Sequence, residues 1–92
     1  MLRQVKKGPS MDIQNLETAQ KRKIGIKQSL KTIKNDQALA LYIAKDAEQY
    51  VVRSIVKLAE EKQLPIIYIE SMLILGKACN IDVGAATAVI VK

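Results

Sequence analysis

Apolar positions along the chain follow two rhythms. In "IGIKQSLKTIK" (24–34), Ile26, Leu30 and Ile33 recur at i, i+4 and i+7, which is the spacing of one helical face. Lys27, Lys31 and Lys34 keep the same spacing one position further along. The predicted helix, Ile26 to about Asn35, therefore carries an apolar stripe beside a basic edge. A second helical set is Val51, Val52, Ile55, Leu58 and Ala59, within a helix predicted over about 46–62. "ALALYIAKD" (38–46) is instead a continuous apolar run, as in strands buried on both faces. "PIIYIE" (65–70) and "AATAVIV" (85–91) complete the predicted strands, with "KIG" as a very short extended piece.

Local signals set the boundaries. Residues 12–22, "DIQNLETAQKR", suit a helix with Ile13, Leu16, Ala19 and Gln20 inward. Asn35-Asp36 ends the second helix with turn-forming residues. Asp46 and Gln49 have the spacing of a capping box, and Pro65 stops the helix that follows. Ser71 can cap a short helix over 72–79, and Asn80 suits a left-handed residue after it. The order is α, short β, α, β, α, β, α, β. Alternation with buried strands argues for one sheet with helices on both faces. Residues 1–11 contain Gly8-Pro9-Ser10 and no periodicity, and are expected to form a flexible arm ahead of one domain, 12–92.

Charge changes this picture more than composition does. The net charge is +6 over 92 residues. Residues 1–34 hold nine Lys and Arg against Asp12 and Glu17, a net of +7; residues 35–92 hold six against seven acids, a net of −1. A basic first third suggests a polyanion partner; lysines that merely face water are the alternative. The junction at Gly25 sharpens the choice. A helix N-terminus offers unpaired N–H groups and the positive end of the dipole, and glycine lets a ligand approach closely. Lys27, Gln28 and Lys31 follow within a turn and a half. The same residues also fit a turn followed by a solvated face.

Other chemistries find little support. There is no His, and the lone Cys79 sits among apolar neighbours as a core thiol, so neither a zinc constellation nor a Cys–His nucleophile is available. Asp46, Glu48, Glu60 and Glu61 read as cap and surface. Gly76-Lys77 precedes Ala78 and lacks a glycine five positions earlier, so the phosphate-loop pattern fails. No apolar segment is long enough to span a bilayer, and the N-terminus is no secretory signal. With no Phe or Trp, and Tyr42, Tyr50 and Tyr68 all within apolar runs, a sheet that stacks single-stranded bases is not expected.

Three stretches carry a resemblance: "IGIKQSLKTIKND", "ALALYIAKDAE" and "IESMLILGKACNIDVGAATAVI". Over about residues 13–92 the chain resembles the short bacterial branch of the kink-turn-binding ribosomal protein family, named after archaeal large-subunit proteins seven-Ae and thirty-e. The resemblance implies an α/β fold, a three-layer α/β/α sandwich with a four-stranded mixed sheet. It also implies binding to a kink-turn, a duplex bent at a three-nucleotide bulge beside sheared G·A pairs. The family motif Gly-x-Asn-Glu-x-x-Lys matches at Gly25 and Lys31, with Lys27 and Gln28 in place of Asn and Glu, a pair common in the bacterial branch. The resemblance also implies that Ile81, Asp82, Val83 and Gly84 form the loop that covers the bulge nucleotide, and Lys34, Arg22 and Lys23 are expected to add attraction. Met72-Leu73-Ile74 departs from a usually lysine-rich segment, and Leu73 or Ile74 is expected at the surface as a weaker RNA contact, a protein contact or a greasy helix face. The expectation is a cytoplasmic, monomeric, non-enzymatic RNA-binding protein without cofactor, ribosomal or ribosome-associated. The alternative is a protein-interaction module on the same fold with weak or lost RNA binding.

Overall fold

A computed structural model describes residues 13–92, and side chains from Asn15 onward; the arm expected over 1–11 and the inward position expected for Ile13 lie outside what is described. The elements run α1 (Ile13–Thr18), β1 (Arg22–Ile24), α2 (Ile26–Lys34), β2 (Ala38–Ala44), α3 (Gln49–Glu61), β3 (Ile66–Ile69), α4 (Met72–Ala78) and β4 (Thr87–Val91). The sheet has the order β1-β4-β2-β3. β4 is antiparallel to both β1 and β2, while β2 and β3 are parallel. A parallel pair needs a crossover, which α3 supplies. Helices α2 and α3 pack together, as do α1 and α4, giving the three-layer α/β/α sandwich.

The two central strands carry the core. Leu41, Tyr42, Ile43, Ala88 and Val89 are buried, as the continuous apolar runs require. A fully buried aliphatic side chain of this size contributes about 1.5–3 kcal/mol. Leu39 is the exception within β2. The pairing slips between Ala38 and Ala40, so Leu39 lies in a bulge and faces out.

Three local expectations change. The helix expected over 12–22 stops at Thr18, and Gln20 is exposed rather than inward, while Leu16 is buried and Ala19 partly so. Arg22 explains the stop: its Nη1 donates to the carbonyls of Leu16, Glu17 and Ala19 at 3.4, 3.5 and 3.2 Å, and its Nη2 to Cys79 O at 3.1 Å. Asp46 does not cap α3, which begins at Gln49 without a side-chain cap. Its Oδ1 accepts from the Met72 N–H at 2.8 Å, and Ser71 Oγ accepts from the Ile74 N–H at 3.1 Å, so both serve the first turn of α4. Helix α3 ends at Glu61, ahead of Pro65, with Gln63 at φ 57°. Asn80 adopts the expected left-handed conformation, at φ 66°. At the end of α2, Lys62 Nζ donates to Asp36 Oδ1 at 2.8 Å; this hydrogen bond and the ammonium charge hold the Asp36 carboxyl below its usual range.

Gly76 marks the tightest packing. It is buried in α4, and a methyl group there would overlap the backbone carbonyl of Val83. Backbone cannot swing aside as a flexible side chain can. Gly76→Ala is expected to lower stability by at least about 1–3 kcal/mol, the usual range for overpacking, with a lower midpoint in urea unfolding. An unchanged midpoint would show that the loop at Val83 yields freely.

Candidate nucleic-acid interface

The candidate interface is built where β1 delivers the chain into α2. Gly25 has φ 97° and ψ 160°, a region essentially confined to glycine. Its N–H donates to Thr87 O at 2.8 Å, extending the β1–β4 pairing by one residue. The chain then turns directly into α2. Gly25 as N-cap has no side chain to cap this helix, and the first turn contains no acid. The first-turn N–H groups that lack an intrahelical acceptor therefore lie beside exposed lysines.

Buried polar residues fix the rotation of α2. Ser29, Thr32 and Ile33 are its buried residues, while Ile26 and Leu30 are half-buried. Thr87 Oγ1 donates to Ser29 Oγ at 3.1 Å within the core, and Thr32 Oγ1 donates to Gln28 O at 2.8 Å. The inward face is thus partly hydroxyl-bearing. That polar stripe was missed by apolar periodicity; the small size of Ser and Thr opposite a close-packed strand was its only sequence signal.

This rotation presents the basic edge. Lys23, Gln28 and Lys31 line one shallow groove with Thr32 and Gln37. Lys27, Lys31 and Lys34 line the next, over Leu30. Lys31 belongs to both. Arg22 does not join them: its guanidinium is spent on the ends of α1 and α4. There it also stands near the buried Cys79 thiol, whose pKa is raised by burial, with Arg22 opposing.

The 81–84 loop reaches the same end of the sheet. It is held at both flanks by α4: Ile81 N–H donates to Gly76 O at 3.1 Å, and Ala85 N–H to Met72 O at 3.0 Å. Ile81 packs partly on the core, while Asp82, Val83 and Gly84 are exposed, Val83 by 67%. Leu73 and Ile74 on α4 are 57% and 43% exposed, adding an apolar patch on the same helix. Among the described residues no cluster of His, Cys, Asp and Glu could hold a metal, and no helix is long and apolar enough to cross a membrane.

The fold and this surface define a small α/β/α sandwich that presents a basic, glycine-opened helix end beside an apolar loop. The chain belongs to the ribosomal protein L7Ae/L30e/S12e/Gadd45 family, whose sequence profile matches residues 10–92. An RNA-binding protein of Halalkalibacterium halodurans is 54% identical over 69 residues, covering 75% of this chain and 84% of the relative. One from Bacillus pumilus is 42% identical over 80 residues, covering 87% and 98%. Among solved structures, the 15.5kD RNA binding protein of Giardia lamblia superposes with a TM-score of 0.77 at 31% identity, covering 87% of this chain and 68% of that one.

Gly25 generates a test. Among the described residues beyond its chain neighbours, nothing lies within 4 Å of a methyl group placed there, so the backbone conformation is what objects. Gly25→Ala is expected to cost about 1–3 kcal/mol from strain alone, measured by chemical denaturation. Stability equal to wild type would mean that the junction relaxes to another conformation.

Proposed function

We propose that this chain binds RNA and recognises a kink-turn, acting in the cytoplasm as a monomeric, non-enzymatic partner of ribosomal or other structured RNA. The observation that carries the reading is a juxtaposition. A helix end with Lys27, Gln28 and Lys31, and a loop with Ile81 to Gly84, flank the same Gly25–Thr87 hydrogen bond, in a chain whose relatives include RNA-binding proteins. On this reading α2 enters the groove at the G·A pairs. Lys31 contacts phosphate or guanine edges, Gln28 both donates to and accepts from base edges, and Lys27 with the first-turn N–H groups meets phosphate. Lys23 and Lys34 add attraction. Val83 and Gly84 cover the bulge nucleotide, with Ile81 supporting them from the core and Asp82 at the loop's edge. A surface held in one shape favours the bent RNA, because a ligand shifts an equilibrium only through differential affinity.

The exposed Leu73 and Ile74 favour a second reading, a protein-interaction module on this fold with weak RNA binding. Gel shifts on a kink-turn duplex, and on the same duplex with both G·A pairs made Watson–Crick, separate the two. Strong preference for the kink-turn is expected; equal affinity would leave only general basic attraction.

Lys31→Ala provides a finer test. A hydrogen bond to a charged group is worth about 1.5–3 kcal/mol, so affinity for the kink-turn should fall about tenfold or more. The salt slope should fall by about one unit. Thermal unfolding should match wild type because Lys31 is exposed. Normal binding by this variant would exclude entry of α2 as drawn.

A further inference from the structure

The sequence placed all three tyrosines in apolar runs, but the structure buries only Tyr42 and leaves Tyr50 72% and Tyr68 53% exposed. Tyr68 stands on the edge strand β3, opposite Ile43 in the parallel pairing with β2. Its ring lines a groove of about 440 Å³ between α3 and this edge, with Val52 and Ile43 contributing apolar lining. Three polar side chains surround that lining: Lys45, Gln49 and Arg53. Arg53 has no hydrogen-bond or ion-pair partner among the described residues, and neither does the Tyr68 hydroxyl. Lys45 meets Glu70 at 3.5 Å, with both side chains more than half exposed. Such a pair is weak and readily exchanged.

An open aromatic ring over an apolar floor, next to an unpaired guanidinium, fits a flat base carrying an anionic group. Position selects the source of that base. β1, β2 and β3 all run antiparallel to β4, so Gly25, Lys45 and Glu70 follow the carboxyl ends of three strands on one side of the sheet. Open α/β sheets bind ligands at that end. From β1 to β3 is three strand spacings, about 14 Å. A strand of RNA held at α2 can therefore reach the groove in a few nucleotides without crossing the molecule.

We propose that this groove is a second RNA site, taking one unpaired nucleotide, with its base on Tyr68, its phosphate at Arg53 and Lys45, and Gln49 at the base edge. The proposal rests on RNA binding but not on kink-turn selectivity. The test is an NMR titration of the full ¹⁵N-labelled chain with single-stranded hexaadenylate, with adenosine monophosphate, and with a blunt kink-turn duplex. Hexaadenylate is expected to shift amides around Ile43–Lys45, Gln49–Arg53 and Tyr68, and to bind more tightly than the mononucleotide. Tyr68→Leu should weaken it about tenfold, as loss of one base–aromatic stack does, while Tyr68→Phe binds as wild type. Arg53→Gln should weaken it and flatten its salt dependence. Affinity of these variants for the blunt duplex should stay within twofold. Shifts confined to Gly25–Lys34, or full affinity in Tyr68→Leu, would overturn the groove site. Equal affinity for adenosine monophosphate would overturn its assignment to RNA. Loss of duplex binding alone would sink the kink-turn reading and leave the groove site standing.

Discussion

The structure depends most on the way one glycine joins strand to helix. Gly25 must pair with Thr87 as the last rung of β1 and start α2 with its next residue, and φ 97° is the conformation that does both. The same rung fixes where β4 begins. Thr87 accepts from Gly25 through its carbonyl, and its hydroxyl donates to Ser29 one turn into α2. One residue of β4 thus sets both the height and the rotation of the helix. Rotation by a single position would bury a lysine, Lys31 in one direction and Lys34 in the other. The basic edge is the remainder after Ser29, Thr32 and Ile33 have been turned inward.

The loop across from this junction is held in place by a different set of contacts. It owes its place to α4, whose Gly76 lets the Val83 carbonyl approach and whose Met72 carbonyl accepts from Ala85. Helix α4 is only seven residues long, too short to persist alone. Ser71 and the distant Asp46 satisfy two of its first-turn N–H groups. Arg22 reaches its far end at Cys79. The order of dependence runs from the two caps to α4, from α4 to the loop, and from the loop to the apolar half of the surface. Loops that carry function are commonly positioned by such a scaffold.

Legibility in the sequence followed the range of the interactions involved. Strands β2 and β4 were legible because burial on both faces writes itself into consecutive residues. The ends of α2 and α4 were legible at Asn35–Asp36, Ser71 and Asn80, where the deciding group lies within a few positions. Asp46 was misassigned because its cap partner is 26 residues away; its spacing to Gln49 copied a local signal. Arg22 looked like one more basic residue because its acceptors include Cys79, 57 positions on. Tyr68 looked buried because its neighbours Ile67 and Ile69 are apolar, yet on an edge strand only alternate residues face the covered side. The juxtaposition of α2 with the 81–84 loop followed from the family resemblance; spacing alone left the wet face open.

Separate physical terms are assigned to separate elements, and this constrains how the surface can work. Lysines 23, 27, 31 and 34 supply attraction that any polyanion would feel and that salt weakens. The Val83 side chain and the ring of Tyr68 carry no charge, so the apolar contacts that these two groups make depend on shape and are little affected by salt. Affinity and selectivity should therefore separate as ionic strength rises: the lysine contribution falls for every nucleic acid alike, while the apolar contacts persist only for a partner that presents an unstacked base to them. A duplex has no such base to offer. A bent or flanked RNA does, so a basic helix end combined with apolar contacts elsewhere along the same end of the sheet would favour such an RNA over a duplex without reading a long sequence.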